Sequence, residues 1–406
     1  MTDYREIEKT CLKQSELFET LATDFLVYYC AEREGLDKLF TKKLGRYRSI
    51  IHKMPDNWVP WLMSQYAAFH LFRQDGYARQ YMNLHKIKSR SSAEQAFLSF
   101  QIENPWRYSF FSIKSKPARN FFEMLDVLTN EKFLLHSPGL AKSLEKTGPM
   151  QMYYFLLAFN GKCWQTYGPH AHFRGIIPAD LLFFGRQLDA EVTSMNQIPD
   201  LIEQDPLPWA MLWRSGEIPL TYHKHNMLMM NCSEYHREDF NPDEYMEYFK
   251  IERKPPLYKM SLKHWDNFPH FSTCFYHKKK NQLILSALTD RGYAKLIEHF
   301  GKKGFALPAN HEHRVTPNML QTANEVLGRD IKFNPYEKSF SEPVKKEHSD
   351  ELDKINKFVS YLTDAHNAGK EANIDEFASL AGIDTGNAYN ITEKVMKILD
   401  RMPIKK

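Results

Sequence analysis

One short stretch of the sequence, YHKHNMLMMNCSEYH, concentrates side chains that bind metal ions. Neutral imidazole and thiolate are the donors that zinc prefers, and a site needs three or four of them to converge. The residue types therefore predict a metal-binding module. The spacing matches no zinc finger and no zincin helix, so the alternative is an ordinary strand and exit loop with backbone-bonded histidines. The candidate ligands are His223, His225, Cys232 and His236.

Two further His-x-His pairs occur, at His170/His172 and His311/His313. On a β-strand, residues i and i+2 point to one face, so each pair presents two imidazoles together. With 17 histidines in 406 residues, chance alone gives about 0.7 such pairs. This enrichment is mild, and we predict no cofactor from it. Zinc and magnesium stay as alternatives.

A second group of residues has the types and order of a hydrolytic site. In NPDEYMEYFKIERKPP, Pro242-Asp243 is followed by Glu252-x-Lys254. This resembles the Pro-Asp…(Asp/Glu)-x-Lys signature of restriction-type nucleases. The resemblance implies that Asp243 and Glu252 hold Mg²⁺ while Lys254 helps to activate a water. That family places its acidic pair on adjacent strands, whereas this stretch reads as helical, so a capped surface helix is the alternative.

The stretch EFASLAGIDTGNAYNITEKVMKIL resembles the helix-turn-helix units of bacterial DNA-binding proteins. Ala378 falls at the tight crossing of two helices, Gly382 forms the turn and Ala388 faces inward. Residues 350–406 hold eight Lys and Arg against ten Asp and Glu, and an acidic module binds phosphates poorly, so a plain packing module is the alternative. The resemblance places Thr385, Asn387, Tyr389, Asn390 and Lys394 toward a DNA groove.

A basic stripe is predicted in the N-terminal stretch GLDKLFTKKLGRYRSIIHKM. Apolar residues recur there at helical spacing, and the opposite face collects four cations. Such a stripe favours contact with nucleic acid or an acidic protein, and an ordinary solvated helix face is the alternative. The four cations are Lys38, Lys42, Arg46 and Lys53.

The composition limits the class of protein. Lys and Arg number 54 against 50 Asp and Glu, for a net charge of +4, so any basic surface must be local. Hydrophobic residues make up 43% of the chain, which excludes global disorder. The sequence contains no secretory signal pattern and no apolar run of the ~18 residues that span a bilayer. We therefore expect a cytoplasmic protein without membrane contact.

The cysteines support the same expectation. They are odd in number, widely scattered and without close pairs in the sequence, which argues against a disulfide framework and predicts buried, inert thiols. The five are Cys11, Cys30, Cys163, Cys232 and Cys274.

The helices and strands indicated by the sequence predict an α+β fold. Helical spacing fills the first part of the chain, short aromatic strands follow, and Asn160-Gly161 is typical of a hairpin turn. A polar segment with two prolines then precedes a helical C-terminal part. The predicted regions are 1–103 (helical), 104–190 (antiparallel β meander or small barrel), 191–334 (mixed α+β), 335–349 (linker) and 350–406 (helical, helix-turn-helix-like).

These patterns favour a binding or interaction protein, with a nucleic-acid or protein partner and no catalytic site. Alternate aromatic residues on the predicted barrel strands would stack bases on an open face, as in oligonucleotide-binding barrels. Inside a small barrel, the same residues would fill the interior. The nuclease and the metal-binding module are the alternative functions.

Overall fold

A computed structural model shows a chain of two compact units, Met1–Pro335 and Tyr336–Lys406. N-terminal helices, a closed five-stranded barrel, antiparallel sheets and C-terminal helices follow one another, which confirms the predicted α+β class. The structure describes residues 3–55, 57–148, 150–173, 175–217, 222–223, 226–265, 268–307, 312–340, 346–367 and 370–399.

The described residues before the barrel form eight α-helices. A π-helical stretch, Phe18–Val27, joins the first two of them. Ser91 and Glu94 form a capping box at the start of the last one. The eight are α1 (Tyr4–Leu17), α2 (Tyr28–Arg33), α3 (Leu36–Leu44), α4 (Arg48–Ile51), α5 (Trp58–Phe72), α6 (Ala78–Tyr81), α7 (His85–Lys88) and α8 (Ser92–Glu103).

Residues 107–173 form the barrel. Its elements are β1 (Arg107–Ala118), β2 (Phe121–Asp126), β3 (Lys132–His136), α9 (Pro138–Thr147), β4 (Met152–Phe159) and β5 (Trp164–Phe173). The strand order is β1-β2-β3-β5-β4, and pairing of β4 with β1 closes the barrel. β3 and β5 run parallel, while the other neighbouring strands run antiparallel. The one parallel pair corrects the picture of a purely antiparallel meander.

The aromatic residues of the barrel strands are packing residues. Phe111, Phe122 and Phe155 belong to the barrel interior. Tyr108 and Tyr154, on the outer side of β1 and β4, belong to the core shared with the N-terminal helices. Their rings therefore supply buried area and leave no open stacking platform on this side of the barrel.

The β4–β5 hairpin contains two glycines at positive φ. Gly161 has φ +87° in the predicted Asn160-Gly161 turn. Gly168 has φ +72°, and Gln65 of α5 approaches it closely, because Gln65 Nε2 donates to the carbonyls of Tyr167 and Pro169 at 2.6 Å each. A Cβ at Gly168 would lie 2.6 Å from Gln65 Cγ, so only glycine fits this contact between helix and barrel.

The rest of the first unit is mixed helix and sheet. A six-stranded antiparallel sheet has the order β13-β8-β12-β11-β10-β9, and β6 and β7 form a separate pair. The elements are α10 (Pro178–Leu188), α11 (Ile198–Gln204), α12 (Leu207–Ala210), β6 (Tyr222–His223), β7 (Asn226–Met227), β8 (Met230–His236), β9 (Phe249–Lys254), β10 (Leu257–Leu262), β11 (Thr273–His277), β12 (Gln282–Ala287), α13 (Asp290–Gly301), β13 (His313–Val315) and α14 (Pro317–Leu327).

The stretch NPDEYMEYFK differs from its predicted single helix. Pro242–Tyr245 forms one turn of 3₁₀-helix, and the chain then enters β9. Lys259 of β10 lies opposite Glu252 in the sheet register. Pairing with β10 has overridden the local helical preference, because a strand edge supplies hydrogen bonds along the whole segment.

The second unit contains three helices, α15 (Lys346–Asn367), α16 (Ile374–Ala381) and α17 (Thr385–Leu399). Gly382 ends α16 with φ +72°, as expected for the turn residue. Ala378 and Ala388 are 1% and 0% exposed and pack together with residues of α15. The small side chains therefore allow close helix packing, as their positions predict.

None of the helices formed by the described residues is long and apolar enough to cross a lipid bilayer.

We expect the first unit to lose stability in acid because His70 is buried. Burial, with the nearby charges of Arg73 and Lys43, lowers the pKa of His70 to about 3. The unfolded chain takes up a proton near pH 6.5 while the folded chain does not, so stability is complete above that pH and falls below it. Below pH 6.5, this residue is expected to lower the free energy of unfolding by about 1.4 kcal/mol for each pH unit. Urea unfolding of His70→Phe at pH 7 and pH 5 checks this.

The control is His52→Phe, because His52 is exposed. We expect His70→Phe to flatten the pH dependence and His52→Phe to leave it unchanged. Equal pH slopes for the wild type and His70→Phe would contradict the assignment.

Candidate functional site

The β1–β2 hairpin carries three exposed cations at its tip. Lys114, Lys116 and Arg119 are exposed, and the intervening Ser115 donates a hydrogen bond to Glu123 on β2 at 2.6 Å. Among the described residues, no ion pair joins any of the three cations to a carboxylate. The pairing of β1 with β2 shifts register between Ile113 and Ser115 and again between Ser115 and Ala118, so the cations lie on an irregular part of the hairpin.

The barrel as a whole is basic. Residues 107–173 hold eight Lys and Arg against four Asp and Glu, a net charge of +4 that equals the net charge of the entire chain. One of the four acids, Asp126, is fully buried and accepts hydrogen bonds from Ser109 and from two backbone amides. The barrel and its hairpin are therefore one of the local basic regions of a chain whose overall charge is nearly balanced.

Helix α1 covers the neighbouring outer side of β2 and β3. Tyr4 and Ile7 pack with Phe121 and Leu134, and the ring centroids of Tyr4 and Phe121 are 5.1 Å apart. Glu8 accepts a hydrogen bond from the hairpin-tip residue Asn120 at 3.2 Å. The hairpin therefore lies beside α1, with its cations in solvent.

A pair of thiols lies beneath α1. Cys11 of α1 and Cys163, in the turn before β5, have their sulfur atoms 3.4 Å apart, in a hydrogen bond that either can donate. The two side chains are 0% and 2% exposed. Asn160 Nδ2 lies 3.3 Å from the Cys11 sulfur and 3.6 Å from the Cys163 sulfur.

The turn that holds Cys163 is fixed by its own hydrogen bonds. Asn160 Oδ1 accepts from the backbone amides of Lys162 and Cys163 at 2.9 Å and 2.8 Å. Asn160 Nδ2 donates to Gln165 Oε1 at 2.7 Å, and Gln165 Nε2 donates to the Cys11 carbonyl at 3.0 Å. The network thus links the turn that carries Cys163 to the backbone of α1 at Cys11.

The environment separates the two thiols chemically. A hydrogen bond from Cys163 lowers the pKa of Cys11, and His136 and Asn160 act in the same direction against the effect of burial. The same hydrogen bond, together with burial, raises the pKa of Cys163. A thiol that accepts such a hydrogen bond is the more readily ionised member of the pair, and the cluster as a whole favours a thiolate at Cys11.

Sequence reasoning missed this pair. It found no close cysteines because Cys11 and Cys163 are 152 residues apart in the chain. All five cysteines are buried, as predicted. No local signal links the two positions, since their proximity depends on how α1 lies on the barrel.

The predicted metal ligands do not converge. His223 lies on β6 against Phe268, whereas Cys232 is buried on β8. His236 is exposed at the end of β8 near Glu238, and a rise of four residues along the strand puts it about 13 Å from Cys232. His225 lies outside the described residues. Within the part of the chain that the structure describes, no three His, Cys, Asp or Glu side chains are grouped to hold a metal ion.

The three nuclease candidates are directed to different partners. Asp243, in the turn before β9, pairs with Arg253. Glu252 lies 3.4 Å from Lys259 of β10. Arg253 and Glu252 are adjacent on one strand, so their side chains point to opposite faces, and the two carboxylates do not share a site. Lys254 follows at the exposed end of β9.

The basic stripe is divided by the backbone. Lys38 and Lys42 are exposed on α3, but α3 ends at Leu44 and a 3₁₀ turn carries Arg46. Lys53 lies beyond α4, with its Nζ 3.4 Å from Glu325. The four cations therefore do not form one face of a continuous helix.

The C-terminal candidates are exposed on α17. Thr385, Asn387, Tyr389 and Asn390 all face solvent, and the side chain of Lys394 lies outside the described residues. Their exposure is compatible with the predicted groove contacts and with a plain packing module.

Comparisons of the chain with family models, curated proteins and solved structures give no match. The functional argument therefore depends on the geometry alone.

Proposed function

We propose that this chain is a binding protein that contacts the phosphate backbone of single-stranded nucleic acid through the β1–β2 hairpin of its barrel. The observation that carries the proposal is the charge distribution. The barrel holds a net charge equal to that of the whole chain, and three of its cations lie within six residues at an exposed hairpin. Phosphate neutralisation supplies most of the affinity in such complexes.

The connectivity of the barrel supports the same proposal. A five-stranded barrel with this strand order and with a helix between β3 and β4 resembles the oligonucleotide- and oligosaccharide-binding barrels. Those barrels bind ligands beside β2 and β3 and the loops that flank them. In this chain the β1–β2 hairpin stands at that position, and α1 takes up part of the neighbouring strand surface.

We propose single-stranded DNA or RNA as the partner and the cytoplasm as the location. The proposed role is binding without catalysis. The separation of Asp243 from Glu252 favours binding over the nuclease alternative.

The test is fluorescence anisotropy of a labelled oligothymidine over a series of salt concentrations. If three phosphates are neutralised, the logarithm of the association constant should fall with the logarithm of salt with a slope of about −2. A duplex of equal length provides the comparison, and we expect weaker binding to it. Absence of binding at low salt, or binding without salt dependence, would contradict the proposal.

A further inference from the structure

We propose that Cys11 and Cys163 form a dithiol site that a hydroperoxide oxidises to a disulfide, which fixes α1 covalently to the barrel. The inference rests on the thiol cluster and does not depend on nucleic-acid binding. It assigns a modification site with a defined class of oxidant.

The positions of the two sulfur atoms suit bond formation. They are 3.4 Å apart, and a disulfide bond of roughly 2.05 Å needs an approach of about 1.4 Å. Cys11 lies on a helix and Cys163 in a turn, so each can shift without breaking a strand ladder. Asn160 contacts both sulfurs and holds them on one side of the barrel.

The cluster also distinguishes Cys11 from the other buried thiols. Hydrogen bonding from Cys163, with His136 and Asn160, lowers the pKa of Cys11. Burial instead raises the pKa of Cys30 and of Cys232 to about 12. Since the thiolate is the reactive form, oxidation should start at Cys11.

The reaction balances with one equivalent of hydroperoxide. The Cys11 thiolate attacks one peroxide oxygen, the O–O bond breaks, and a proton converts the departing oxygen to an alcohol or water, leaving a sulfenic acid. Cys163 then attacks the sulfenic sulfur, forms the S–S bond and releases water with its thiol proton. Two thiols are oxidised by two electrons, and the peroxide is reduced by the same two.

Access to the buried pair requires local opening of α1. Cys11 is the only buried residue of this fourteen-residue helix. A helix with so little buried surface opens locally far more often than the whole unit unfolds. A small peroxide can then reach the thiolate, whereas a folded partner protein would require a wider opening.

The experiment treats the full chain with a small excess of hydrogen peroxide and maps its peptides without reduction. We expect loss of the mass of two hydrogen atoms from the intact chain, and one linked peptide pair joining Cys11 to Cys163. Dithiothreitol should restore both thiols. Two unlinked, alkylatable thiols after treatment, or linkage of either cysteine to a different one, would overturn the proposal.

Variants assign the steps. Cys163→Ser should accumulate a sulfenic acid at Cys11 that a 1,3-diketone traps, while Cys11→Ser should form no linked peptide. Cys30→Ser, which changes an equally buried thiol of α2, should still form the disulfide. A disulfide in Cys11→Ser that involves Cys163 would count against the pair. The wild-type mapping decides the question if a variant fails to fold.

Hydrogen exchange measures the structural consequence. The amides of α1 should exchange about tenfold or more slowly in the oxidised chain than in the reduced chain, because a cross-link suppresses local opening. Equal exchange rates in the two states would overturn the assignment of the disulfide as a tether.

Discussion

Replacing Asp180 with alanine is expected to lower the free energy of unfolding of the first unit by about 3 kcal/mol. Asp180 of α10 is 0% exposed and accepts hydrogen bonds from the backbone amides of Ile177 and Thr316. The Thr316 hydroxyl donates to the same carboxylate at 3.0 Å. Alanine leaves these buried donors without an acceptor at the starts of both α10 and α14.

The chemistry of the carboxylate refines this expectation. Burial raises the pKa of Asp180 to about 6 although its hydrogen bonds act in the opposite direction. Every neighbouring group donates a hydrogen bond to the carboxylate of Asp180. The side-chain amide of asparagine cannot accept all of these bonds, because its NH₂ group is a donor. Asp180→Asn retains the size and one acceptor oxygen, and should lose about half as much stability as Asp180→Ala.

Tryptophan fluorescence during urea unfolding measures the first unit selectively, because all seven tryptophans precede residue 336. The matched control is Asp189→Ala, since Asp189 is exposed just after the same helix. A change below about 1 kcal/mol for Asp180→Ala would contradict the role of Asp180 as a shared helix cap.

Replacing Lys114, Lys116 and Arg119 together with glutamine is expected to weaken binding of single-stranded nucleic acid about 100-fold at low salt. Each lost phosphate contact also removes about 0.7 from the magnitude of the salt slope on a single strand. The three side chains are exposed, so the folded state should keep its stability. Fluorescence anisotropy at several salt concentrations measures both quantities.

A second basic hairpin provides the control with the same charge change. Lys278, Lys279 and Lys280 are exposed in the turn between β11 and β12, in a different sheet of the same unit. Replacing these three with glutamine should change affinity less than threefold, roughly the effect of net charge alone. Equal weakening by the two triple variants would contradict a specific role for the barrel hairpin.

Local backbone signals were the predictable part of the fold. Asn160-Gly161 predicts the hairpin because its glycine adopts positive φ. Thr316 caps α14 and Gly328 ends it with φ +62°, as these residue types favour at helix ends. In these cases the residue type itself determines the local conformation.

Long-range pairing was the unpredictable part. The parallel pairing of β3 with β5 depends on where α9 carries the chain. The strand β9 forms because β10 is beside it, against a local helical pattern. For the candidate site, the three hairpin cations lie within six residues of the sequence, whereas the approach of Cys11 to Cys163 had no local signal. Register and docking decide such contacts, and neither is encoded in adjacent residues.

Photo-crosslinking tests the central claim most directly, namely that the barrel hairpin contacts single-stranded nucleic acid. The wild-type chain is irradiated with a photoreactive oligonucleotide at low salt, digested, and mapped by mass spectrometry. We predict crosslinks concentrated in residues 107–126, which include the β1–β2 hairpin. Crosslinks confined to α17, or absent from the barrel altogether, would contradict the account.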